Sequence, residues 1–156
     1  MDNMTQKAAG YNRTVQFGLR VHVIVRETEE EARAYADGLL SKLDLDLGTD
    51  IRNRAQDAAS LGVARQSQLR EEADEKYYVE PNLWTGIGLA RSGCGAAIVG
   101  NPDQVVAKLE RYMEMGIRSF ILSGYPHQQE CELFAKYVLP RIKTVSLPEV
   151  FGRMPK

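Results

Sequence analysis

Cysteine is scarce in this chain, with Cys94 and Cys131 the only two among 156 residues. Two such distant thiols exclude a disulfide scaffold and a metal knuckle, and they are read as reduced thiols of a cytosolic protein. Histidine is as rare, with His22 and His127 alone, which sets aside a His-rich metal site. No apolar run approaches the roughly 20 residues of a membrane span, and no signal-peptide core precedes the Asn12-Arg13-Thr14 sequon. Charge of one sign is missing too. The 20 Lys and Arg balance 21 Asp and Glu to a net −1, with no basic cluster to meet nucleic acid or a membrane surface.

What remains is the composition of a globular domain, 44% hydrophobic and 26% charged, long enough for one sizeable core. The clearest element is VQFGLRVHVIVR, residues 15–26, a strand rich in β-branched residues. Alternation puts Leu19, Val21, Val23 and Val25 on one face and Gly18, Arg20, His22, Ile24 and Arg26 on the other. A helix follows at once. Thr28 and Glu31 have the spacing of a capping box, Glu29 to Glu31 suit the positive end of the dipole, and Ala32, Tyr35, Ala36, Leu39, Leu40 and Leu43 make an apolar stripe. Residues 15–43 thus form a βα unit.

The segments on either side are less regular. Residues 1–14 are polar and read as the tail of a helix. Residues 44–80 are charged and Ala/Gln-rich, with a weak helical period, and read as a mobile insertion of the lid or binding-loop kind.

Residues 81–115 begin as a Gly-rich loop, PNLWTGIGLARSGCG, then give a short strand from Ala96 to Val99 and a helix. Asn101 caps that helix, Pro102 suits its first position, and Gly116 ends it. Residues 116–142 repeat the pattern, with strand RSFILS, loop Gly124-Tyr125-Pro126-His127 and a helix from 128 to 142. The tail, 143–156, is punctuated by proline. No internal sequence repeat is evident. The order βα, insertion, βα, βα predicts an α/β fold with parallel strands, whose ligands bind at the carboxyl ends of those strands. Three units cannot close a barrel of about 250 residues, so a small open sheet and part of a barrel both stay open.

Several residues could carry chemistry. Arg20 and His22 share a face: at a sheet edge they would meet water, whereas inside a covered parallel sheet they would need partners, such as a bound anion. Tyr125 sits in the loop after a strand, either presenting its hydroxyl or packing its ring. Arg91, between glycines, is a loop cation beside a ligand or in solvent. Cys94 reads as a small buried residue or a reactive thiol. Asn101-Pro102-Asp103 reads as a helix cap, because Asp103 would repel a phosphate there.

Together, RVHVIVRETEEEA, PNLWTGIGLARSGCGAAIVG and GIRSFILSGYPH closely resemble the C-terminal half of the alkanesulfonate monooxygenases, two-component enzymes of the bacterial luciferase-like superfamily. The similarity runs from about residue 11 to 142 and keeps the spacing of Arg20, His22, Arg91 and Tyr125. It implies a (β/α)8 barrel, here a partial one made of C-terminal units, and a reaction in which FMNH2 and O2 cleave the C–S bond of an alkanesulfonate to an aldehyde and sulfite. It further implies that Arg20 is the key catalytic arginine, that His22 and Tyr125 line the active site, and that Arg91 serves closure of the mobile loop corresponding to the insertion. Gly93 and Gly124 fall at the lid or flavin-binding positions. An NAD(P)H-dependent FMN reductase is the implied partner, and the location is cytoplasmic.

The family's N-terminal half has no counterpart here, so a truncated or split chain is expected, one that is inactive alone and associates or aggregates. Two other readings are another luciferase-like oxygenase, for instance one acting on a sulfone, and a non-catalytic half-barrel remnant that serves as a binding module.

Overall fold

Strand β1, Phe17–Val25, is the axis of the fold. In a computed structural model, which describes residues 1–55, 60–89 and 95–145 with only the backbone of 51–55, every residue from Val21 to Val25 is buried. Both faces of β1 are therefore covered along its second half. Leu19, Val21, Val23 and Val25 pack with Val105, Val106 and Leu109 of helix α5 (Pro102–Glu114) and with Phe134 and Tyr137 of helix α6 (His127–Tyr137). On the opposite face Ile24 packs with Ala32 and Ala36 of helix α2 (Glu29–Leu40).

The local signals work as their chemistry requires. Glu31 N–H donates to Thr28 Oγ1 at 3.1 Å and Thr28 N–H to the Glu31 carboxylate at 3.3 Å, closing the capping box of α2. Asn101 caps α5 with Gln104 as its reciprocal partner. Gly116 follows that helix at φ 98°, a backbone conformation that side chains resist. The polar start forms helix α1, Asp2–Ala9, with no buried residue. Helix α6 stops at Tyr137, earlier than the expected 142, and a 3₁₀ turn, Leu139–Arg141, takes up Pro140.

The segment 44–80 contains two helices, α3 at Leu45–Ala55 and α4 at Leu61–Glu71. Its last residues nevertheless join the sheet. Strand β2 (Tyr78–Glu80) turns through Pro81-Asn82 into strand β3 (Leu83–Trp84), and β3 runs antiparallel to strand β4 (Ala97–Gly100). Asn82, at φ 65°, makes the turn and donates its amide to the Val99 carbonyl at 2.9 Å. Three- and two-residue strands carry too little alternation to be read from sequence. Trp84 anchors them: it is fully buried and donates its indole N–H to the Lys76 carbonyl at 3.1 Å.

The sheet has five strands in the order β2-β3-β4-β1-β5, with β5 at Ile117–Ser123 and β1 parallel to both β4 and β5. Here β1 lies between β4 and β5, with α2 on one face and α5 and α6 on the other. The described chain is an open, mixed α/β sheet. The physical reason lies in β1, whose two edges both find a partner strand and whose two faces both find a helix along its second half.

Candidate functional site

In open α/β sheets a crevice forms beyond the carboxyl ends of neighbouring strands whose connections leave toward opposite faces. β1 and β5 are such a pair, because α2 follows β1 on one face and α6 follows β5 on the other. Three of the residues singled out from sequence, His22, Gly124 and Tyr125, gather there.

The β1–β5 register sets His22 beside Ser123 and Arg20 beside Ile121. His22 is 4% exposed, and its Nδ1 lies 2.9 Å from Ser123 Oγ. Tyr125 comes next along the same face. Its ring centroid is 5.4 Å from that of His22 and 4.8 Å from that of His127, the latter edge to face. The Tyr125–Pro126 peptide bond is cis. Arg20 lies two residues before His22 on this face, exposed like the adjoining Ile121. The even-numbered face of β1 is thus closed by α2 around Ile24 and open at Arg20. Arg20 thus meets solvent, whereas His22 is buried.

A second group holds the loop after β5. The Arg26 guanidinium donates from Nη2 to Glu130 Oε1 at 2.6 Å and from Nη1 to Oε2 at 3.1 Å, and it lies 3.8 Å above the centre of the Tyr35 ring. The Tyr35 hydroxyl donates to the Tyr125 carbonyl at 2.7 Å. Gly124 is buried against Glu130, and a Cβ built on it would stand 2.5 Å from Glu130 Cβ and 3.1 Å from the Val23 carbonyl oxygen. Close packing accounts for this glycine without reference to a ligand.

A cavity of about 300 Å³ adjoins the loop on the α6 side, walled by Val23, Leu122, Phe134 and Glu130, with His127 and Cys131 at its lining. A larger one, about 430 Å³, lies at the amino end of β5 among Leu109, Phe120, Phe134 and Ile142. It shares Leu122 and Phe134 with the smaller cavity but is not lined by the Tyr125 loop. Arg91, Gly93 and Cys94 lie outside the described residues.

Ser123, Tyr35, Arg26 and Glu130 were not singled out for the site. Ser123 had a legible signal, since it precedes Tyr125 by two residues and so shares its face. Arg26 and Glu130 are 104 residues apart, and no local pattern joins them.

A buried imidazole, a half-buried hydroxyl and a half-buried phenol lie together toward the carboxyl ends of two parallel strands, with Arg20 exposed two residues back on the same face. Residues 1–119 match the luciferase-like monooxygenase family, and the chain belongs to that family. Over 150 residues it is 62% identical to a sulfoquinovose monooxygenase of Agrobacterium fabrum, covering 96% of this chain and 39% of that protein. It is 64% identical over 140 residues to a sulfoquinovose monooxygenase of Novosphingobium aromaticivorans, with 90% and 39% covered. The chain spans about two-fifths of the length of these relatives, 39% in both cases. No helix among the described residues is long and apolar enough to cross a membrane.

Proposed function

We propose that this chain supplies part of the site of an FMNH2-dependent monooxygenase that cleaves the C–S bond of an organosulfonate. Sulfoquinovose, a hexose bearing a sulfonate, is the favoured substrate. Simple alkanesulfonates are the class suggested by the residue motifs. The observation that carries the reading is the meeting of His22, Ser123 and Tyr125 at the ends of β1 and β5, with Arg20 on the same face, in a chain 62% identical to a sulfoquinovose monooxygenase.

The donor set fits one side of a reduced flavin and a sulfonate. Arg20 offers a planar fork that suits the sulfonate oxyanion. Tyr125 and His22 offer hydrogen bonds to the polar edge of a flat ring system, and Arg91, Gly93 and Gly124 enter the reading as further contacts through the family resemblance. When bound, the reduced cofactor supplies two electrons to O2, so that one oxygen reaches the carbon bearing the sulfonate, sulfite leaves, and the second oxygen ends as water. The Arg20 guanidinium and the Tyr125 phenol stabilise the charge that develops as the C–S bond breaks, and either can hand over a proton. Ser123 holds the ring of His22 in place. The opposite wall, the completed (β/α)8 barrel, the partner FMN reductase and the cytoplasmic setting belong to this reading through the family.

A chimera tests it. This chain replaces the matching 150 residues of the Agrobacterium relative, and sulfite release is followed with FMNH2, O2 and sulfoquinovose, octanesulfonate or a dialkyl sulfone. Release is expected from sulfoquinovose first, falling by about 10²-fold or more in Arg20→Ala, the scale of losing one preorganised donor. Preference for octanesulfonate or the sulfone overturns the substrate. No sulfite from any of them, in a folded chimera that binds no FMNH2, leaves the chain a binding module.

A further inference from the structure

Tyr125 is held by its main chain, and the groups that hold it come from three different elements. Glu130, in the first turn of α6, is 4% exposed and gives both carboxylate oxygens to Arg26. Arg26 follows the last residue of β1, and its guanidinium carbon lies 3.8 Å from the centre of the Tyr35 ring of α2. Tyr35 in turn donates to the Tyr125 carbonyl. We propose that Glu130, Arg26 and Tyr35 form a positioning relay that sets the Tyr125 ring between the imidazoles of His22 and His127.

The energetics favour orientation over stability as its purpose. A buried ion pair recovers little net free energy after both charges are desolvated. A two-oxygen fork, however, fixes the position of the guanidinium, and the guanidinium confines the aromatic ring packed against it. The Tyr35 ring then has one direction in which to send its hydroxyl, and the Tyr125 carbonyl lies there at 2.7 Å. Glu130 acts on the loop a second time, because Gly124 sits directly against its Cβ and Cγ. The loop is thus pinned at two successive residues, 124 and 125, by contacts that all lead back to one carboxylate. The relay also crosses the sheet, tying α6 on one face to α2 on the other. Its bearing on turnover rests on the proposed role of Tyr125, whereas its geometry does not.

The test reads the geometry. The chain has two histidines, and both rings lie against Tyr125. Proton NMR of the 156-residue protein therefore gives two sets of imidazole signals displaced by one tyrosine ring current. Tyr125→Leu calibrates that displacement and is expected to move both sets. Tyr35→Phe keeps the ring beneath Arg26 but deletes the hydroxyl, and is expected to move both sets toward their Tyr125→Leu positions while the melting temperature stays near the parent value. Arg26→Lys keeps the charge without the fork and is expected to do the same, which provides a second reading if Tyr35→Phe does not fold. Imidazole signals left at their parent positions in folded Tyr35→Phe and Arg26→Lys overturn the relay, as does a Tyr125→Leu variant that moves neither histidine. Failure of the sulfite assay in the chimera would remove the functional reading and leave these signals unaffected, so the two failures are distinct.

Discussion

His22 and Ser123 face each other across two parallel strands, with Nδ1 2.9 Å from Oγ, although 101 residues separate them in sequence. A buried imidazole keeps one orientation only if its nitrogens have partners. Ser123 supplies one of them, whichever way the proton points. The pairing follows from the register of β1 against β5, which aligns residues 22 and 123.

Ser123→Ala is accordingly expected to cost about 1 kcal/mol of stability, the usual net worth of one internal hydrogen bond. In the chimera it should lower the rate of sulfite release more than it raises KM, because it disturbs the orientation of His22 and leaves Arg20 alone. Urea denaturation and steady-state kinetics check this. An unchanged rate would show that the imidazole is oriented by other groups.

Gly124→Ala tests the packing of the loop. The new methyl would meet Glu130 Cβ at 2.5 Å and the Val23 carbonyl oxygen at 3.1 Å, with the backbone of β1 on one side and the root of a buried side chain on the other. Neither can swing away, so destabilisation of about 1–3 kcal/mol is expected, the cost of overpacking. A variant with the parent urea midpoint would mean that the loop stands farther from α6.

The Arg26–Glu130 pair calls for a double-mutant cycle. Glu130→Leu alone strands a guanidinium that is 14% exposed at its side chain, and should cost about 3–5 kcal/mol. Arg26→Met together with Glu130→Leu removes both charges and should recover most of that loss, since two apolar side chains of similar volume can replace a buried pair. Additive losses in the cycle would argue against direct coupling.

Tyr78 gives the chain an alkaline signature. Its phenol is pushed up from 10.0 to about 12, chiefly by burial, with the carboxylates of Asp37, Glu29 and Asp74 adding to the effect and the Arg33 guanidinium opposing it. The folded state therefore holds this proton more tightly than the unfolded chain. The stability it confers is complete below pH 10 and is lost as the pH rises toward about 12. Tyr78→Phe should flatten the fall in urea midpoint across that window relative to the parent protein. Parallel curves for the two would place the Tyr78 hydroxyl in water.

Part of the candidate site is legible in the sequence. Alternation alone set Arg20 and His22 on the face opposite Val21 and Val23, and the strand-loop position of Tyr125 marked it as a residue at a carboxyl end. The missing portion has a common cause. Ser123, Arg26, Tyr35 and Glu130 act through partners 90 to 104 residues away, beyond any period or motif. The close packing of Gly124 against Glu130, six residues on, likewise appears only in three dimensions.

By itself, the amino-acid sequence determined the pieces: the two-faced strand β1, the capping boxes at Thr28 and Asn101, the stop at Gly116, and membership of a family through residues 1–119. These depend on alternation and on backbone preferences within a few residues. Only the tertiary structure decided that β5 pairs with β1 instead of β4, that Tyr78 to Trp84 turn back into the sheet, and that Tyr125 stands between two histidines. Those outcomes depend on which edges and faces the whole chain can cover at once, and no short stretch carries that information.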